Sequence, residues 1–475
     1  MDKNEAKAYV QELVARASAA QKIAEGYDQA RVNELCAAVA WECCKEDFRR
    51  VAAKTLVEES RMGIEQDKFN KILNKVKGVW RDMKDEVSVG IVETDVEKQI
   101  VRYIKPVGVI AALIPVTNGE ATPAVKALWA LKARNAIIMS PHPRGKKTLQ
   151  YVTDYIRGVL KKYDAPEDLI MCVDPAYFSL EVTHELMAQC DYIAATGGTP
   201  MVRVAYSSGT PAIGVGTGNV ATYIDSSADL EDAAHKIMLS KTFDNSTSCS
   251  SENQCIVNEA VYDDFIKAMQ AEGGYLVKDG SEEKEIIIRT MWPKWHEDHN
   301  NHDLTRELIA KTAPEMCEAM GLKAPKDVKF IMVEENGGFG KDYPLTGEKL
   351  SVITTLIKCK DFEDGMDKMT ACLNYMGNGH SCGIHTKNAE QIDKLARRMT
   401  VSRIMVNQPQ ALANSGSWGN GMRATMTLGC STWGFNSTSE NVTWKQFVNY
   451  TVVSKPIEAI IPSDEELFPE YIRNK

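Results

Sequence analysis

The stretch KTFDNSTSCSSENQCIV, residues 241–257, sets one thiol, Cys249, among Ser246, Thr247, Ser248, Ser250 and Ser251. Small polar neighbours leave room for a substrate and offer hydrogen bonds, whereas a structural cysteine sits among Leu, Ile and Val. Cys249 is therefore a candidate nucleophile, active as its thiolate. The chain has 12 cysteines, and no CxxC pair suggests a zinc ribbon or a redox dithiol. PVTNG (115–119) places Asn118 on a turn after an apolar run. Its amide could donate to an oxyanion at a strand's carboxyl end, or serve turn geometry alone. SPHPRGKK (140–147) clusters Arg144, Lys146 and Lys147 at a helix start, a setting that suits phosphates and equally suits plain solvated surface. ATGGTP (195–200) carries paired glycines that allow a nucleotide to approach closely before a helix begins. GVGTGN (214–219) leads into VATYID rather than a helix, so the usual glycine-rich dinucleotide reading fails there. His296, His299 and His302 in WPKWHEDHNNH (292–302) precess around a helix and have no thiol nearby; the run reads as a polar loop, with no metal expected.

Scaffolding for these groups shows in the periodicity. Residues 5–87 are helical by pattern, with Val32, Leu35, Val39 and Cys43 spaced three and four apart and no proline. The period then changes. VGVIAALIP (107–115), NAIIMSP (135–141), DLIMCVD (168–174), DYIAATGG (191–198), PAIGVG (211–216) and VATYID (220–225) are short apolar runs ending in turn residues. They read as buried parallel strands, the first four alternating with helix-like stretches, which predicts a doubly wound α/β domain over 1–225. Residues 226–405 predict a second α/β domain holding Cys249, with strands in QCIVNE, VKFIMVEE, SVITTLIK, CGIHT and RIMVNQ. A capping box from Ser463 to Glu466 predicts a short helix in the tail.

At 475 residues, with 44% hydrophobic and 25% charged residues, the chain should fold throughout into two or three domains. A net charge of −9 argues against non-specific nucleic-acid binding. The opening residues lack the basic start and apolar run of a secretory leader, and no apolar window is long enough to span a bilayer. Thiols that stay reduced imply a cytoplasmic setting.

With these motifs in hand, the chain resembles the aldehyde dehydrogenase superfamily, and within it the coenzyme A-acylating branch. FDNSTSCSSENQ resembles that branch's FDNG-x-x-C-[AS]-SEQ, PVTNG its P-x-TNP, SPHPRGKK its SPHPRAKK, and GVGTGN its GVGPGN. ATGG is shared, GEKLSV resembles HEKLSP, GHSCGIHT resembles GHTAGIHS, and TLGCSTWGFNSTSENV resembles TLGCGSWGGNSxSENV. The resemblance implies a cofactor domain (1–225), a catalytic domain (226–405), and a return to the cofactor domain with an oligomerisation segment (406–475). A β-flap is implied between residues 95–106 and the C-terminal segment, joining subunits into a homodimer or homotetramer.

It also implies that Cys249 attacks the aldehyde and that Asn118 with the Cys249 N–H holds the oxyanion. NAD or NADP then takes hydride, and coenzyme A takes the acyl group from the cysteinyl thioester, reversibly. Thr196, Gly197, Gly198, Glu348, Pro141, His142, Pro143 and Gly216 are implied on the nucleotide side, and His380 matches a family histidine whose role stays open. Hydrolytic relatives carry a Glu in ELGG, where this chain has VGTG (215–218); without that base water attacks slowly, which favours the acylating reading. Gly119 follows Asn118 where the family has proline, Glu120 follows in turn, and Arg423 stands in a usually uncharged stretch. Arg423, with Glu120 and Thr247, is thus expected near an anionic aldehyde such as sulfoacetaldehyde or succinate semialdehyde, the alternative being that Arg423 is a solvated surface arginine. The alternatives are acetaldehyde or another uncharged short aldehyde, a hydrolytic enzyme, or a scaffold or filament subunit without catalysis.

Overall fold

The computed structural model describes residues 2–475. The chain opens with four helices: α1 (Lys3–Glu25), α2 (Gln29–Cys44), α3 (Glu46–Ser60) and α4 (Glu65–Met83). Asp2 and Glu5 close a capping box on α1, and its buried stripe of Ala6, Val10, Leu13 and Ala17 faces the first core. On α4 the inward stripe is unusual, because Lys68 and Lys71 are buried with Ile72, Val76 and Val79. Buried lysines need partners, and these find theirs in the site described below.

Strands β1 (Gly90–Asp95) and β2 (Ile100–Pro106) follow, then β3 (Val109–Leu113), helix α5 (Thr122–Lys132), β4 (Ala136–Ser140), α6 (Lys146–Lys162) and β5 (Ile170–Cys172). Helix α7 (Leu180–Gln189), β6 (Tyr192–Thr196), α8 (Thr199–Ser207) and β7 (Ala212–Val215) complete a parallel sheet in the order β5-β4-β3-β6-β7. Every residue of β3 and β4 is buried, as expected for strands covered on both faces. The order reverses between β3 and β6, and at that switch point open α/β sheets leave a crevice beyond the strands' carboxyl ends. Asn118 lies after β3 and Gly197 after β6, so both belong to this crevice.

The second sheet comprises β8 (Val220–Ile224), β9 (Glu252–Asn258), β10 (Gly274–Val277), β11 (Phe330–Glu334), β12 (Ile353–Cys359), β13 (Cys382–His385) and β14 (Ile404–Val406). Its order is β10-β11-β12-β9-β8-β13-β14, parallel throughout. This corrects the expected boundary at residue 225. The run VATYID pairs with β9 and β13, so the crossover to the second sheet precedes residue 220. An apolar run announces a buried strand but not which sheet buries it. Strand β15 (Val448–Ser454) returns to pair antiparallel with β2, making the three-stranded sheet β1-β2-β15, while Val442, Trp444 and Phe447 join the first core. β1 and β10 were not foreseen. Most of β1 is exposed, and β10, GYLV, is only four residues long, too short an apolar run to mark a strand by pattern alone.

Candidate active site

The last helix before the thiol, α9 (Leu230–Thr242), ends at Phe243, and the chain then turns sharply before entering β9. Asp244, Asn245 and Ser246 all take left-handed backbone conformations, with φ of 49°, 51° and 60°. Such backbone is strained for residues with a Cβ and persists only when neighbours hold it. Here Ser246 Oγ donates to the Lys241 carbonyl at 2.6 Å, and Asn245 Nδ2 donates to the Ala310 carbonyl at 3.2 Å. Asp244 accepts from the Ile64 N–H at 2.7 Å and from the Thr247 hydroxyl at 2.7 Å. The turn presents Thr247, Ser248, Cys249 and Ser250 to a cavity of about 280 Å³. Gly218 packs directly on this segment: a Cβ there would lie 2.0 Å from the Cys249 carbonyl oxygen.

Cys249 Sγ lies 3.1 Å from His380 Nε2, and His380 Nδ1 lies 2.8 Å from Ser381 Oγ. With Nδ1–H donated to Ser381, Nε2 keeps its lone pair for the thiol hydrogen. Burial pushes the thiol up to about 12, with further upward pressure from Glu348, and burial pulls the imidazole down to about 3. The resting pair is thus a neutral thiol facing a neutral acceptor.

Lysines of α4 form the opposite wall. Lys71 Nζ lies 2.6 Å from Asp244 Oδ2, 3.0 Å from Glu120 Oε1 and 2.7 Å from Asn118 Oδ1. Burial works against its charge, but Asp244 and Glu120 outweigh it and hold the pKa above the usual lysine value. Lys68 adds a second contact to Asp244 at 2.9 Å. Because Lys71 occupies the oxygen of the Asn118 amide, the Nδ2 end is left to donate, its neighbour being Thr117 Oγ1 at 3.3 Å. Lys75, one turn further along, also lines the cavity, and burial followed by the charge of Lys71 lowers it to about 7.

Thr196, Gly197, Gly198, Gly216, His142 and Glu348 also line the cavity. Of residues 141–143 only His142 lines the cavity; Pro141 is buried and Pro143 is exposed. Glu348 Oε1 is sealed from solvent without a hydrogen-bond partner, and burial raises the carboxyl to about 8. An orphaned buried acceptor beside a glycine turn with open space over Gly197 fits a ribose hydroxyl and its phosphates.

Two expected substrate contacts are corrected. Arg423 turns away from the cavity and pairs with Glu86 at 2.6 Å, where Lys445 and the Trp444 indole also converge. Glu120 is fully buried beneath Lys71 rather than open to substrate. Thr247 lines the cavity, with its hydroxyl donated to Asp244. Lys71 and Lys75 were missed in the sequence, since a lysine on an amphipathic helix normally marks the solvated face. The histidines of the 292–302 run face separate partners, His299 to Asp342 and His302 to Tyr375.

Against known proteins, the sequence pattern of the aldehyde dehydrogenase family matches residues 4–306. The chain belongs to the aldehyde dehydrogenase family. Among its relatives, a sulfoacetaldehyde dehydrogenase of Acholeplasma is 44% identical over 97% of this chain and 93% of its own length. An acylating sulfoacetaldehyde dehydrogenase of Cupriavidus necator is 38% identical over 97% and 91%. The crystal structure of an acetylating aldehyde dehydrogenase from Geobacillus thermoglucosidasius superposes with a TM-score of 0.91 at 33% identity, covering 97% of this chain and 99% of that one. In this aldehyde dehydrogenase the thiol, the amide and the glycine turn line one cavity beyond the carboxyl ends of the first sheet's strands. Among the described residues no helix is long and apolar enough to cross a membrane.

Proposed function

We propose that this aldehyde dehydrogenase converts a short aldehyde with an anionic tail, sulfoacetaldehyde or succinate semialdehyde, to its acyl-CoA, with Cys249 carrying the acyl group. The observation that carries the reading is the Cys249 thiol held 3.1 Å from an imidazole acceptor in a cavity that also holds the oriented Asn118 amide. NAD(P)+, when bound, supplies the hydride acceptor, and Glu348, Thr196, Gly197, Gly198 and Gly216 would hold it. His380 Nε2 accepts the thiol proton as sulfur bonds to the aldehyde carbon. Asn118 Nδ2 and the Cys249 N–H stabilise the resulting oxyanion. After oxidation, the thiol of coenzyme A adds to the Cys249 thioester, and collapse expels the Cys249 sulfur with acyl-CoA as product; the same steps run in reverse.

Acyl transfer to a thiol rather than to water is supported by the carboxyl inventory. Glu348 is the one carboxyl lining the cavity among the described residues, and at about 8 it is largely protonated at neutral pH. A protonated carboxyl does not activate water, whereas a thiolate needs no such help. The names of the relatives support the anionic tail. In the flap, Ile91, Tyr450, Val452 and Val453 are exposed, as are Ile460 and Ile461 of the tail, and we read them as the contact that forms a homodimer or homotetramer.

The test is a panel of charged and uncharged aldehydes with NAD+ or NADP+, with and without coenzyme A, following NAD(P)H. Reduction that requires coenzyme A, is fastest on anionic aldehydes and vanishes in Cys249→Ala is expected. Steady reduction without coenzyme A would make the enzyme hydrolytic, and activity surviving in Cys249→Ala would remove the nucleophile.

A further inference from the structure

A second cavity of about 220 Å³ adjoins the first, and Lys71, Lys75, Phe243 and Ala411 line both. Its remaining wall includes Arg81 and Trp418, the guanidinium lying 5.0 Å from the exposed indole. No carboxylate lines this second cavity among the described residues. Two of its three cations are nonetheless neutralised from behind: Lys71 by Asp244 and Glu120, and Arg81 by Asp82 at 2.7 Å.

Lys75 differs. Its ammonium donates to Ser415 Oγ at 2.6 Å, to the Ser415 carbonyl at 2.9 Å and to the Gly416 carbonyl at 2.9 Å, all of them neutral oxygens. Its hydrogen bonds are satisfied, but among the described residues no carboxylate pairs with it to hold it charged. The Ser415 hydroxyl, accepting from Lys75, still has its own hydrogen to donate, and Ser415 lines the reaction cavity. A hydroxyl polarised by a cation behind it is a strong donor to an anion in a water-poor site.

We propose that Lys75, acting with the Ser415 hydroxyl where the two cavities meet, is the residue pair that recognises the sulfonate or carboxylate tail of the aldehyde. The inference rests on the aldehyde oxidation proposed above and assigns the specificity of that site to residues with no place in the thiol chemistry. The second cavity is then the approach for anionic aldehydes, leaving the Gly197 side to the nucleotide. Burial lowers Lys75 to about 7, so at neutral pH it is charged only part of the time; an entering anion favours the charged form, and an uncharged aldehyde does not.

The test compares kcat/KM for sulfoacetaldehyde, succinate semialdehyde and propionaldehyde in the wild type, Lys75→Met, Lys75→Arg and Ser415→Ala. Loss of a charge-assisted contact should lower the anionic substrates about 10- to 100-fold in Lys75→Met and leave propionaldehyde within about threefold. Lys75→Arg should keep the anionic preference, and Ser415→Ala should weaken it. With propionaldehyde as substrate, competitive inhibition by 2-hydroxyethanesulfonate should weaken in Lys75→Met; a mere clamp on residues 415–416 would not produce that change selectively. Equal losses on all three aldehydes, or no loss on the anionic ones, overturn the inference. A wild type that acylates propionaldehyde at least as well as the anionic aldehydes also overturns it while leaving the acylating function standing. A wild type inert on every aldehyde with coenzyme A overturns both.

Discussion

Replacing Lys71 by methionine should damage stability and catalysis by separable routes. Lys71 is the cation facing Glu120 at 3.0 Å, and neither Glu120 oxygen has another hydrogen bond among the described residues. Asp244, by contrast, keeps Lys68, the Ile64 N–H and the Thr247 hydroxyl. The stability loss therefore falls mainly on Glu120, a fully buried carboxylate left alone, for which about 3–5 kcal/mol is the usual penalty. In Lys71→Met/Glu120→Gln the stranded charge is gone, and most of that loss should return, a coupling readable as a double-mutant cycle. Activity should not return with it. Without the Lys71 contact at 2.7 Å the Asn118 amide loses its orientation, and removal of one oxyanion donor lowers kcat by about 10²–10³-fold. Urea unfolding followed by tryptophan fluorescence reads the first effect, and steady-state NADH formation the second. A Lys71→Met protein that unfolds at the wild-type urea concentration refutes the buried-charge reasoning. A double variant that regains both stability and kcat refutes the amide-orienting role.

The resting thiol supplies a pH prediction. Because burial holds Cys249 at about 12, its thiolate fraction near pH 8 is about 1 in 10⁴ and grows with pH. Inactivation of the free enzyme by iodoacetamide, localised to Cys249 by mass spectrometry, should accelerate about tenfold per pH unit between 7 and 9; a plateau near 8.5 would show an ordinary exposed thiol. Arg423→Ala should leave the ratio of rates on sulfoacetaldehyde and acetaldehyde unchanged, since the guanidinium pairs with Glu86 away from the cavity. It should cost roughly 1 kcal/mol or less, because the arginine is partly solvated; a changed rate ratio would return Arg423 to the substrate.

Most of the fold was legible because buried parallel strands announce themselves locally: the runs beginning at 107, 135, 168, 191 and 211 all became strands of the first sheet. The strand at 220 was equally visible, yet its sheet was not, because membership depends on hydrogen bonds to β9 and β13 that its own residues do not encode. The motif at Cys249 was legible through its polar company, and the cavity does collect Cys249, Asn118, Thr196, Gly197, Gly198, Gly216 and Glu348. Arg423 misled because a charge in an uncharged stretch looks functional, while its partner Glu86 lies 337 residues away.

Residue types and short-range order were enough to name the thiol, the amide, the glycine turn and the family pattern around them, since each is a local arrangement of side chain and backbone. Which charges face those groups required the folded chain. His380 comes 131 residues beyond Cys249 yet touches its sulfur, and Lys71 reaches back from a helix 173 residues before Asp244 to orient Asn118. Electrostatic environment is set by distance in space and by exclusion of water, and neither quantity is written in the neighbours a residue has along the chain.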